Sequence, residues 1–174
     1  MRKTTLSIVL GFLVLPVFPA QQKSIPKMPE PYRQWLEEEV VYIISSKERD
    51  VFRKLETDKE RDIFIEAFWK QRDPTPGTPR NEFKDEHYQR RKYADQFFGR
   101  GTPRPGWMTD QGRIHIILGP PRNVEDFTGI NGVYPVQIWS YDGDPNYGLP
   151  TGFNIIFFKK HGLGEYVLYS PVDD

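Results

Sequence analysis

Residues 106–121 read GWMTDQGRIHIILGPP, and the fold of the chain turns on how this stretch is read. A tryptophan and a short polar turn lead into Arg113–Leu118, where Ile114, Ile116 and Leu118 alternate with Arg113, His115 and Ile117. Strict alternation over a few residues is the period of a half-buried strand. Gly119-Pro120-Pro121 then ends the run, because two prolines remove the backbone donors that any ladder needs. On this reading the chain changes character here, from helical spacing upstream to a period of two downstream. Thr109 and Asp110 are expected to cap the turn through Gln111-Gly112 with their short polar side chains.

Upstream, four helices are predicted. The first covers Tyr32–Ile44, where Tyr32, Leu36, Val40, Ile43 and Ile44 recur at helical spacing. Ser45 with Glu48, and Thr57 with Glu60, are capping boxes that open helices over Lys47–Leu55 and Asp58–Arg72. In the third helix Ile63, Phe64, Ala67 and Phe68 form the expected apolar stripe, and Asp73-Pro74 stops it. PTPGTP (74–79) is a stiff linker. A fourth helix spans Pro79–Phe98 with Thr78 as its expected N-cap, and the glycines and prolines of Gly99–Gly106 end it. Downstream, Pro135–Tyr141, Gly152–Lys159 and Glu165–Tyr169 are strand candidates rich in β-branched and aromatic residues. Phe153–Phe158 is apolar on both faces, which predicts a central strand covered on both sides. Helices followed by strands make an α+β domain, with about four N-terminal helices packed on a small, mostly antiparallel sheet of about four strands.

The N-terminus has a different character. Arg2 and Lys3 precede an apolar stretch, Leu6–Phe18, and Ala20 precedes the polar Gln21-Gln22-Lys23. Charged start, apolar middle and small exit residue are the layout of a secretory leader over residues 1–20. The stretch is shorter than the roughly 20 residues that cross a bilayer, so no permanent membrane span is expected. Residues 21–31, with Pro26, Pro29 and Pro31, form an extended lead-in. A single domain follows over 32–170, divided into a helical half (32–98) and a sheet half (107–170). Periplasmic or secreted localisation is the consequence. The chain has no cysteine, so neither a disulfide nor a lipid on a cysteine enters the account.

Composition excludes some functions and leaves others open. The whole chain has 24 basic and 24 acidic residues, without the basic excess of a nucleic-acid-binding domain. His87, His115 and His161 do not pair at metal-ligand spacing, and no metal or cofactor is expected. No Gly-x-Ser-x-Gly elbow is present. Asp142, Asp144 and Asn146 place oxygens at alternate positions, but Tyr147 and Phe153 stand where a calcium loop requires glycine and glutamate. A turn between strands accounts for them. Glu82, Asp85 and Glu86 alternate with Arg80, Lys84 and Arg90, the pattern of surface ion pairs on a helix. Asp110 and Glu86 are the least implausible catalytic pair, provided that a second carboxylate stands within about 9 Å of Asp110 in an open cleft.

Two stretches resemble a known family. Gly106-Trp107-Met108-Thr109-Asp110, Gly112-Arg113 and Gly119-Pro120-Pro121 follow Phe68-Trp69, Arg72-Asp73-Pro74, Thr78-Pro79 and Asn81-Glu82-Phe83 in the order found in the GWxTD domain family of exported bacterial proteins. The resemblance implies export and a shared fold, and it assigns no catalytic residues. LGPP (118–121), Trp139-Ser140-Tyr141 and Phe153–Phe158 are also similar to the small lipoproteins of the outer-membrane barrel-assembly machinery. Those begin their domain with helices and carry a lipid, whereas this chain has no cysteine and its residues before LGPP read as strand. The functional expectation is a non-enzymatic envelope module that binds a protein or glycan, with Trp107, Trp139 and Tyr141 as its candidate contacts. The alternative is a carboxylate-dependent hydrolase acting on envelope polymers.

Overall fold

The computed structural model describes residues 28–160, 162 and 164–169. The expected leader, most of the lead-in, and His161 lie outside them. The elements are α1 (Glu30–Gln34) running into a π-helical turn (Trp35–Glu39), α2 (Ser46–Lys54), α3 (Asp58–Lys70), α4 (Glu82–Phe97) and α5 (Asp110–Leu118). Four strands follow: β1 (Asn123–Phe127), β2 (Val136–Asp142), β3 (Gly152–Phe158) and β4 (Val167–Leu168). They form one antiparallel sheet in the order β1-β2-β3-β4. The fold is α+β, with its helices mostly N-terminal.

Both capping boxes form. Ser45 Oγ accepts from the Glu48 N–H and Thr57 Oγ1 from the Glu60 N–H, and each glutamate returns a bond to the cap residue's N–H. These reciprocal bonds satisfy donors that a helix start otherwise leaves open. The expected stripe of α3 is only half kept. Phe64 and Phe68 pack inward as expected, but Ile63 and Ala67 are exposed, and Arg61 and Trp69 are buried in their place. Arg61 can turn inward because its guanidinium donates to Asp58 and to the Leu55 and Glu56 carbonyls. Trp35, Leu36, Val40, Ile44, Phe52, Phe68 and Trp69 make the first core cluster, so α1–α3 largely pack among themselves and on α4.

Two corrections concern α4 and α5. Asn81, not Thr78, caps α4: its Oδ1 accepts from the Lys84 N–H at 2.9 Å and its Nδ2 donates to the Trp69 carbonyl at 2.7 Å. Thr78 spends its hydroxyl within the linker, on the Arg80 and Thr75 carbonyls. The larger correction is Arg113–Leu118, which is helix and not strand. Thr109 Oγ1 accepts from the Gly112 N–H at 3.0 Å and starts α5. The buried set is Gln111, Gly112, His115 and Ile116, spaced as one helical face. Because two of these are polar, the apolar residues alone showed a period of two.

The strand that completes the sheet is β1, which has no apolar alternation and is exposed throughout. Its register on β2, from Asn123 opposite Ser140 to Phe127 opposite Val136, holds it in place. Glu125 and Asp126 keep this free edge charged, as edges exposed to other chains commonly are. β3 is central but covered on one side only: Phe157 is buried, whereas Ile156 is 36% exposed. Its inner face packs with Trp139 and Tyr141 against Phe98, Ile114 and Leu118. The helical layer that touches the sheet is therefore α5 and the end of α4.

Candidate functional site

The motif residues of 106–121 sit where the helical core meets the sheet core. Ala94, Trp107 and Ile116 form a small cluster of their own, flanked by Val41, Tyr42 and Phe98. Gly106 lies directly on the α4 backbone, where a Cβ would stand 1.9 Å from the Ala94 carbonyl oxygen. Gly112 lies as close to the Gly106 carbonyl. Trp107 is fixed from four sides. Its N–H donates to Asp95 at 3.0 Å, its carbonyl accepts from the Tyr42 hydroxyl at 3.1 Å, and the Arg91 guanidinium lies 4.6 Å over its ring. Tyr42 also packs on the ring, at 6.1 Å between centroids.

Asp110 does not cap the following turn. Its Oδ2 accepts from the Leu168 N–H of β4 at 2.8 Å, and its Oδ1 accepts from Arg113 at 3.3 Å. The first turn of α5 is thereby clipped to the last strand. Glu86 stands elsewhere, on α4, where Arg90 binds its Oε1 through both Nε and Nη2. It lines a cleft of about 370 Å³ with Gln89, Arg90, Tyr93, His115 and Pro120, and Asp110 is not part of that cleft. Arg90 also lies against Gly119, whose φ of +83° ends α5. We expect Asp110→Ala to cost about 1–3 kcal/mol, since it removes a charged acceptor and leaves the Leu168 N–H without a partner. Urea denaturation measures the loss, and faster exchange of the Leu168 amide locates it. An unchanged exchange rate would count against the clip.

The upstream motif is structural in the same way. Arg72 donates to both oxygens of Glu48 at 2.9 Å and lies 3.6 Å over the Phe68 ring, joining the end of α3 to the start of α2. Burial works to raise the Glu48 pKa, but the bonds from Ser45 and Arg72 outweigh it and hold the carboxyl below its ordinary value. Asp73 Oδ1 accepts from the Thr75 N–H, turning the chain at Pro74.

His115 belongs to α5 rather than to a strand, and it is 6% exposed. Its ring stacks on Tyr93 at 4.6 Å, and its Nδ1 is buried without a partner among the described residues. Burial, helped by the nearby Arg90 charge, lowers its pKa to about 4. His87 is also buried and its pKa is lowered by burial, while its Nε2 lies 2.7 Å from the Glu39 carbonyl. Neither imidazole is charged near neutrality. In the β2–β3 turn, Asp144 Oδ1 caps Asn146 and Asp142 pairs with Arg122. No group of three metal-ligating side chains occurs among the described residues.

Trp107, Trp139 and Tyr141, read from the sequence as candidate contacts, are all core residues. Trp139 donates to Gln137 Oε1 and the Tyr141 hydroxyl to the Gly119 carbonyl, which lets both polar tips be buried. Tyr93 and Phe97 reach solvent on α4, and a further exposed aromatic group lies on the outer face of the sheet. Val133, Tyr134, Val136, Ile156, Phe158 and Tyr169 line a groove of about 500 Å³ there, with Tyr134 59% and Tyr169 52% exposed. Val136 pairs with Phe158, and Ile138 with Ile156, across β2 and β3. Phe153–Phe158 carried a signal for this face, but an apolar run does not tell a covered side from an open one.

Among the described residues no helix is long and apolar enough to cross a membrane. Comparison with curated proteins and with solved structures found no match. The GWxTD domain family matches residues 16–160, most of the chain. This chain belongs to the GWxTD domain family.

Proposed function

We propose that this chain is an exported module of the cell envelope that binds a protein partner through the outer face of its sheet and does not transform a substrate. The observation that carries the reading is the groove formed by Val133, Tyr134, Val136, Ile156, Phe158 and Tyr169. None of these residues is charged, and contiguous exposed apolar surface rimmed by polar residues marks interaction sites. Asn123, Ser140 and Asn154, which pair across the same sheet, supply a polar border. A face without charges suits a protein partner better than a glycan, whose hydroxyls need polar contacts. The engagement of Asp110 with Leu168 and Arg113 supports the binding reading over the hydrolase one. The basic start, apolar stretch and polar exit of residues 1–23 support export.

The test introduces a charge into the groove. A photo-crosslinker at Tyr134 is expected to capture a defined envelope protein. Ile156→Lys should weaken that association roughly thirtyfold, the effect of losing a central contact worth about 2 kcal/mol. Ile63→Lys alters a more exposed apolar residue on α3 and should leave it unchanged. Equal capture by wild type and Ile156→Lys would sink the reading.

A further inference from the structure

The inner side of the sheet carries a second, chemically different cavity. About 290 Å³ in volume, it lies between the Gly99–Gly106 loop, the start of α5 and the approach to β4. Two cations line it. Arg100 lies 5.0 Å over the Phe97 ring and donates through Nε to the Gln96 carbonyl. Lys159 lies 4.8 Å over the Tyr166 ring. Neither is ion-paired with a carboxylate among the described residues. Glu165 also lines the cavity: its Oε1 takes Arg104 at 2.6 Å, while its Oε2 is buried and receives no hydrogen bond among the described residues. Gln111 completes the wall, held by its bond of 2.8 Å to Gln137 Oε1.

These groups specify a ligand. Two cations without a salt bridge among the described residues, Arg100 exposed and Lys159 half-buried with its charge near Asp126, call for an anion, and charge-assisted bonds from Arg and Lys favour a carboxylate. A buried acceptor without a donor calls for an N–H or O–H. Arg104 already balances the Glu165 charge, so a neutral donor fits there better than an ammonium. That combination separates an acidic sugar, with hydroxyl and amide donors, from a free amino acid. The volume lies at the lower end of small-molecule sites, enough for one residue of a glycan. We propose that this cavity binds a single carboxylate-bearing sugar unit of an envelope glycan. The site is separate from the outer-face groove and does not depend on it.

Titration of the full chain with N-acetylmuramic acid, followed by the side-chain amide signals of Gln111 and Gln137, tests the assignment. Saturable shifts are expected, weakened by salt. Arg100→Gln and Lys159→Gln should each weaken binding about tenfold, with melting temperatures unchanged. N-acetylglucosamine, which lacks the carboxylate, and glutamate, which carries an ammonium, should bind at least about tenfold more weakly than the acidic sugar. Ile156→Lys should leave the titration unaltered, so this result and the outer-face result are independent. The proposal is overturned if no saturable shift occurs, if either control ligand binds as well as the acidic sugar, or if both charge variants bind as wild type does.

Discussion

Gly106→Ala is expected to destabilise the protein by at least about 4 kcal/mol, in the range reserved for severe single substitutions. The reason is distance. A Cβ at this position would stand 1.9 Å from the Ala94 carbonyl oxygen, 2.6 Å from its carbon and 2.7 Å from the Asp95 Cα. All three are backbone atoms of α4, which cannot rotate aside as a side chain would. The chain would have to lift off the helix, and that would withdraw Trp107 from Asp95 and Tyr42. Gly112→Ala meets the Gly106 carbonyl at the same 1.9 Å and should fail for the same reason. Gly152→Ala is the control. Its nearest neighbour would be 3.9 Å away, so its stability should stay within about 0.5 kcal/mol of wild type. Urea denaturation of the three variants decides the matter, and a Gly106→Ala protein as stable as Gly152→Ala would refute the close-contact account.

The second large effect is acid sensitivity. The folded-state pKa of His115, about 4, lies below the ordinary value of 6.5, so the unfolded chain takes up the proton first. The stabilisation that keeps this imidazole neutral is fully present above about pH 6.5. It is lost progressively as pH falls, and the loss is complete below about pH 4, where it amounts to about 3 kcal/mol. His87, lowered by burial in the same direction, adds to the loss as pH falls below its ordinary value of 6.5. The carboxyls held below their ordinary values, Glu48, Glu60 and Asp126, begin to contribute only below about pH 4.5. His115→Phe keeps a ring against Tyr93 and Phe98 and removes the proton site. Its stability difference between pH 7 and pH 4.5 should be smaller than that of wild type by roughly 2–3 kcal/mol. An identical pH dependence in the two proteins would show that His115 takes no part.

Local signals proved legible where the chemistry was local. Ser45–Glu48 and Thr57–Glu60 state their helix starts within four residues, and both boxes form. Asp73-Pro74 ends α3 within a few residues of the expected place. The segment Arg113–Leu118 could not be read that way. Its alternating isoleucines suit a strand, and its helical face is defined by Gln111 and His115, whose burial depends on Gln137, Tyr93 and Phe98. The burial of the candidate contacts was hidden from the sequence for the same reason. Trp139 and Tyr141 carry the residue types of an interface, but Gln137 and the Gly119 carbonyl satisfy their polar atoms inside the core. Asp110 has its partner 58 residues away in β4.

By itself, then, the sequence determined the two capping boxes, the helix stops, the α+β order and the family signature, because each is read from local residues. Tertiary structure decided which period in 110–118 is real, which face of β3 stays open, and what Asp110 binds. Those outcomes rest on contacts between distant segments, where a backbone approach such as Gly106 on Ala94 or a buried polar pair such as Gln111 with Gln137 overrides the local pattern.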